Sequence, residues 1–398
     1  MKILLVHDHY RSSAPSGEDQ VFRNELTLLK KHGVDVTTFE RFNDDINDSS
    51  RIKRLKLARD TAWSPTTYQD LSELVSEIRP DIAHFHNTFP LISPSAYLAC
   101  REYGVPVVQT LHNFRLICPG ALLIRDGRPC EDCVGTNLLP ALRYRCYRGS
   151  LPATGALVWM LMRNRWHGTY TTLVNRYIAL TEFAAGRLIA GGLPRDRMSV
   201  KPNFSPNISA PGTGDGGYVV YVGRLSEEKG VRTLLTAWKL VAGIPLKIMG
   251  DGPLRKELEL RDMRDHISVE FLGFCDRPTI VDIVGRATFQ IIPSEWYEGF
   301  PMVVVEAYAC GTPVVASRIG SLDEIVEEGA TGLKFEPGNP RDLSDKVSAL
   351  WADRALQTML RRTARESFEM KFSGEKKYET LTAIYEAAIK DYAQATKG

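Results

Sequence analysis

Short apolar runs recur along the chain, and between them apolar residues fall every three or four positions. Residues 3–6, 34–39, 81–86, 105–111, 177–181 and 199–201 have strand length and strand character. Val21, Phe22, Leu26 and Leu29 mark the first intervening segment as an amphipathic helix, with Ser16 placed to cap it and Asp19 to complete a capping box. Alternation of this kind predicts a parallel, doubly wound sheet. Pro202, Asn203 and the Pro- and Gly-rich residues 206–217 then read as a linker. After it the same grammar restarts, with apolar runs at 218–222, 246–249, 269–274, 289–293, 313–316 and 332–335, and helices predicted at 231–241 and 302–309. Pro301 suits a first helical position. The fold class expected is therefore α/β, two Rossmann-like doubly wound domains facing across a cleft. The first covers residues 1–203 with an insertion at about 115–170, and the linker is 204–217. The second covers 218–372, and residues 373–398 form a terminal helix. Tyr378, Leu381, Ile384, Tyr385 and Ile389 give that helix an apolar face able to pack back on the N-terminal domain.

In such sheets ligands bind beyond the carboxyl ends of strands. The loop after the first strand of the second domain carries Arg224 and Lys229 between Gly223 and Gly230, cations suited to a diphosphate or, equally, a solvated face. The segment from Glu298 through Gly299, Phe300, Pro301, Met302 and Val303 to Glu306 reads as strand end, tight loop and helix start. Its backbone N–H groups suit an anion or a sugar, and its two carboxylates suit hydroxyl groups. A capping acid and a surface acid are the alternative. His112 follows a strand in the first domain, on the ligand side, where a structural and a functional histidine are equally compatible with the pattern.

Composition excludes more than it selects. With 398 residues, 43% hydrophobic and 25% charged, the chain has the make-up of a folded protein of more than one domain. A formal charge of +2 gives no electrostatic case for a nucleic-acid partner. The N-terminal apolar run is too short for a signal peptide and no run approaches a membrane span, so a cytoplasmic location, at or near the inner face of the membrane, is expected. Seven cysteines argue against a disulfide framework. Four of them, Cys118, Cys130, Cys133 and Cys146, form a local set with one C-x-x-C, which fits a structural zinc, free thiols or a disulfide. From Cys133 to Thr181 no acidic residue occurs, while Arg143, Arg145, Arg148, Arg163, Arg165 and Arg176 alternate with Tyr144, Tyr147, Trp159 and Trp166. That stretch suits an anionic membrane surface, or an insertion whose apolar side packs inward.

The Gly-Arg-Leu with Lys-Gly of residues 223–230, the Gly-Asp-Gly at 250–252 and the paired-glutamate segment, in this order, resemble the retaining glycosyltransferases of family 4, glycogen-synthase-like enzymes of the glycosyltransferase B fold. The resemblance covers nearly the whole chain. It implies a nucleotide sugar as donor substrate and no catalytic metal. Arg224 and Lys229 would hold the diphosphate, Glu306 the ribose hydroxyls and Glu298 the transferred sugar, with Gly250 and residues 299–303 giving main-chain contacts. His112 would contact donor or acceptor, and Gly17 would match the glycine loop near the phosphates, although Ser16 stands where a second glycine is common. The implied reaction is hexose transfer to a glycan or lipid-linked acceptor in cell-surface polysaccharide synthesis. An epimerase or phosphorylase of the same fold, or a nucleotide- or glycan-binding protein without turnover, is the alternative.

Overall fold

The computed structural model describes all residues except 14–15, 136, 206–209, 242, 266–268 and 396–398, so residues 206–209 of the expected linker lie outside the described residues. The chain divides into two compact units, one made of Met1–Leu123, Glu131–Asn203 and Lys377–Gly398, the other of Ile124–Cys130 and Phe204–Lys376.

Strands β1 (Lys2–His9), β2 (Asp35–Phe42), β3 (Ile82–Phe85) and β4 (Val107–Leu111) belong to the first unit. A two-stranded antiparallel ribbon follows, β5 (Ile124–Arg125) and β6 (Arg128–Pro129), within the short piece assigned to the second unit. β7 (Arg176–Ala179) and β8 (Met198–Val200) complete the first sheet, which is parallel throughout with the order β2-β1-β3-β4-β7-β8. Ile3 to Val6 are fully buried because a parallel sheet is covered on both faces, which is why this run shows no alternation. Helix Gly17–Lys31 starts on the capping box that Ser16 and Asp19 form, as their spacing predicts. The terminal helix Gly374–Ala395 belongs to this unit's core. Leu381, Ile384, Tyr385 and Ala388 join Ile3, Leu29, Ile82, Val108 and Ile178 in one cluster. Burial of each such side chain contributes about 1.5–3 kcal/mol, so the helix is integral to the unit.

The second unit repeats the plan with β9 (Val219–Val222), β10 (Leu246–Met249), β11 (Val269–Gly273), β12 (Phe289–Ile292), β13 (Val314–Ser317) and β14 (Gly332–Phe335). Its parallel order, β11-β10-β9-β12-β13-β14, is the six-stranded dinucleotide-fold order, and the direction of winding reverses between β9 and β12. Apolar clusters cover both faces, one around Val304, Tyr308 and Phe368, the other around Leu234, Trp238 and Leu343. Helix Val231–Trp238 is shorter than its apolar pattern predicts, and Pro301 caps helix Met302–Ala309 from outside instead of opening it.

Candidate active site

The reversal of winding places two loops side by side at the carboxyl edge of the second sheet, one after β9 and one after β12. They are joined through their backbones, since the Glu295 N–H donates to the Glu228 carbonyl at 2.9 Å. Gly230 makes this approach feasible. It adopts φ +67, and a Cβ there would stand 1.8 Å from the Pro293 carbonyl oxygen, so no other residue fits without moving the loop. On the other side, a Cβ at Gly250 would lie 1.9 Å from the Gly223 carbonyl oxygen. The Leu225 N–H donates to the Asp251 carbonyl at 2.9 Å, so the Gly-Asp-Gly segment buttresses the loop that carries Arg224.

Lys229 and Glu298, distant in sequence, meet here. Lys229 Nζ lies 2.6 Å from Glu298 Oε1, and the same oxygen accepts the Ser294 hydroxyl at 2.7 Å. Glu298 is buried, with 7% of its surface exposed. Lys229 Nζ also stands 5.4 Å from the centre of the Trp296 ring, within cation–π range. The Trp296 indole N–H is enclosed and has no hydrogen-bond partner. Arg224 is exposed and, among the described residues, pairs with no carboxylate. The Tyr221 hydroxyl fixes its backbone by donating to the Arg224 carbonyl at 2.9 Å. Glu306 sits in the helix that begins after the loop. Burial pushes its carboxyl up, and Arg277, with Nη2 at 3.7 Å, acts in the opposite direction. The site thus offers one unpaired guanidinium, one ammonium held by a carboxylate, one unpaired indole N–H and one half-buried carboxylate. Residues 299–303 connect these, and the Gly299 carbonyl accepts the Ser321 hydroxyl at 3.4 Å. Ser294, Trp296 and Tyr221 were missed by motif reasoning. The Ser and Trp stand between β12 and Glu298, where a strand end alone marks them.

In the first unit His112 follows β4 directly, is 9% exposed, and has Nε2 3.0 Å from His86 Nδ1. The adjacent Asn113 amide donates to Glu18 at 2.9 Å, and burial raises the Glu18 carboxyl while that bond and the Tyr10 hydroxyl oppose it. Gly17 opens its helix with no atom within 4 Å of where a Cβ would be, so no close approach within this structure demands glycine there. Two groups of potential metal ligands occur among the described residues, His7 with His9 and Asp19, and Glu25 with His84 and His86. Both are already engaged in hydrogen bonds. His7 Nε2 lies 2.8 Å from Asp19 Oδ1, and Lys201 Nζ lies 2.8 Å from Glu25 Oε2. None of the four clustered cysteines is in a disulfide. Cys118 and Cys133 are buried, and Cys130 and Cys146 are half-buried.

Residues 16–204 match the model for Glycosyltransferase Family 4, and residues 209–367 match that for Glycosyl transferases group 1. An uncharacterized glycosyltransferase of Methanocaldococcus jannaschii is 36% identical over 368 residues, covering 91% of this chain and 92% of that protein. The chain belongs to this family of glycosyltransferases. The structure of this glycosyltransferase is similar to that of Anabaena Alr3699/HepE in complex with UDP, at a TM-score of 0.66 and 20% identity over 96% of this chain and 99% of that one. It is also similar to the lipopolysaccharide outer core galactosyltransferase WaaB in its apo form, at a TM-score of 0.62 and 18% identity, each chain covered in full. Both likenesses bear on the fold. The two parallel-sheet domains of this glycosyltransferase form the glycosyltransferase B fold that its strand order implies, and the enzyme is a transferase.

Proposed function

We propose that the glycosyltransferase moves a hexose from a nucleoside-diphosphate sugar, with retention of configuration, to a glycan or lipid-linked glycan acceptor in cell-surface polysaccharide synthesis. The observation that carries the donor assignment is the pair of cations, Arg224 unpaired and Lys229 held by Glu298, at the winding reversal of the second sheet. A diphosphate needs charge-assisted donors both to bind and to leave. The indole N–H of Trp296 is a further donor, and in this reading the half-buried carboxylate of Glu306 accepts from ribose hydroxyls. Anabaena Alr3699/HepE binds UDP, which fits a donor of this class. WaaB acts on the lipopolysaccharide core, which fits the cell-surface role. In the front-face reaction, the leaving phosphate accepts the proton of the incoming hydroxyl, and no side chain of this site is required as general base. No catalytic metal enters this scheme. The four cysteines, on spacing alone, are proposed to hold a structural zinc. A thermal-shift screen of nucleotide sugars followed by hydrolysis without acceptor tests the donor assignment. Lys229→Ala with a near-normal rate would sink it.

Contact with an anionic membrane surface is the reading we favour for the basic part of the first unit. Among the described residues no helix is long and apolar enough to cross a membrane. Helix Leu151–Trp166 buries Leu157, Met160 and Leu161 but exposes Trp159, Met162 and Trp166, while Arg165 donates inward to the Gly135 and Leu116 carbonyls, both at 3.0 Å, and Arg163 lies over the Trp63 ring. It adjoins helix Arg51–Ala62, where the Asn164 amide donates to the Ala62 carbonyl at 3.1 Å. That helix exposes Ile52 and Leu55 among Arg51, Lys53, Arg54, Lys56 and Arg59, a basic and apolar surface complementary to acidic headgroups. Flotation with phosphatidylglycerol vesicles should fail for Ile52→Ser/Leu55→Ser, whereas equal flotation of this variant would exclude the surface.

A further inference from the structure

The buried histidines of the first unit form a directional chain that ends at His112. Glu25 lies at its base, with Oε2 2.8 Å from Lys201 Nζ and both side chains 1% exposed. Burial alone would raise this carboxyl, but the Lys201 ammonium, foremost among its neighbours, holds it well below its ordinary value, so Glu25 is a carboxylate and can only accept. His86 Nε2 is 3.1 Å from Glu25 Oε1 and must therefore carry a proton toward it. Burial pushes the His86 imidazole down to about 3, so it is neutral and its Nδ1 is a bare lone pair. That lone pair faces His112 Nε2 at 3.0 Å and can only accept, so His112 Nε2 is the protonated nitrogen. His112 is likewise kept neutral by burial, which leaves Nδ1 unprotonated. His112 Nδ1 has no hydrogen-bond partner among the described residues, and 9% of the residue's surface stays exposed. His84 supports the same base, with Nδ1 3.0 Å from Glu25 Oε1 and 2.7 Å from the Tyr385 hydroxyl, and Nε2 2.8 Å from the Thr110 hydroxyl.

We infer that Glu25 and His86 are positioning residues that lock His112 in the Nε2–H tautomer, so that its Nδ1 accepts a hydrogen bond from a sugar hydroxyl and cannot donate one to a phosphate oxygen. This deepens the transferase reading, because it names the chemical group that His112 recognises. His112 becomes an acceptor for a hydroxyl of donor sugar or acceptor glycan. Lys201 and Tyr385 act one step further back, by keeping Glu25 ionised and His84 in place.

The tautomer is read directly by nitrogen NMR of the full-length protein labelled with 15N-histidine at neutral pH, with His112→Gln used to assign the signals. The expected result is a protonated Nε2 and a bare Nδ1 at His112. A protonated Nδ1, or an imidazolium, overturns the proposal. This measurement does not depend on turnover, so it stands or falls separately from the donor assignment, which fails if wild-type protein hydrolyses no nucleotide sugar. His86→Phe removes the acceptor while keeping the site apolar. It should give a mixture of His112 tautomers and lower kcat by roughly tenfold, the scale of one hydrogen bond, with KM for the sugar donor nearly unchanged. An unmixed tautomer with unchanged kcat overturns the positioning role. If His86→Phe does not fold, Glu25→Gln/Lys201→Gln removes both charges of the base together and carries the same expectation and the same refutation.

Discussion

Glu298→Gln tests whether the Lys229–Glu298 pair is a stability device or a poised donor site. In the wild type the two groups lie 2.6 Å apart, and 26% of the Lys229 side chain and 9% of the Glu298 side chain are exposed. Breaking a fully buried pair by removing one charge costs about 3–5 kcal/mol. Here the stranded ammonium reaches water and Trp296 remains beneath it, so the cost falls to about 1–2 kcal/mol in the ligand-free protein. The substitution also frees Lys229 from its competitor. Binding of UDP alone should therefore be retained or tightened, while sugar transfer falls by about a hundredfold if Glu298 makes the contact to the transferred group proposed above. Denaturant unfolding gives the first quantity, isothermal titration with UDP the second and donor turnover the third. If Glu298→Gln weakens UDP as much as Lys229→Ala does, the carboxylate is not a competitor of the phosphate and the reasoning fails.

Arg224→Ala should lower donor turnover by about a hundredfold with little change in unfolding free energy, because the guanidinium is exposed and unpaired. Trp296→Phe keeps the ring under Lys229 but removes the unpaired N–H, and titration with a nucleotide sugar should show a loss of about 1 kcal/mol. Gly230→Ala should lose both stability and donor binding, since its Cβ would overlap the Pro293 carbonyl, and a normal unfolding curve would contradict the loop geometry. Burial pushes Asp8 up to about 7 from an ordinary 3.8, with Oδ1 enclosed and unpaired and Oδ2 accepting the Leu91 N–H at 2.7 Å. Its folded value is the higher one, so its stabilisation is complete below the ordinary value and is lost as pH rises to about 7. The loss is on the order of 4 kcal/mol, and Asp8→Asn should flatten that part of the stability–pH curve.

The strands were legible because buried parallel strands are short, apolar and separated by helical periods. The terminal helix was legible because Leu381, Ile384 and Tyr385 share one face. Arg224, Lys229 and Glu298 stood out as charged groups in loops after strands, and Glu306 as a carboxylate in the helix that follows. Their pairing did not, because Lys229 meets Glu298 only through the winding of the second sheet. The relay to His112 was missed for the same reason. Glu25 and Lys201 are 176 residues apart in sequence, and no local pattern joins them. One local signal existed: His7 with His9, and His84 with His86, are spaced two apart at the ends of largely apolar strand runs, which places each pair on one buried face. Histidines there need partners, and partners imply a network.

The return of residues 377–398 to the first unit bears on the order in which the molecule is made. Ribosomal synthesis delivers residues 1–203 long before the helix whose Leu381, Ile384 and Tyr385 complete their core. The second unit, by contrast, consists almost wholly of the uninterrupted piece Phe204–Lys376. During translation the later unit can therefore finish first. The earlier one waits with an apolar groove uncovered, and His84 lacks its Tyr385 partner until the helix that carries it emerges. A nascent chain arrested before residue 377 should be a target for chaperones and proteases in its first half but not in its second.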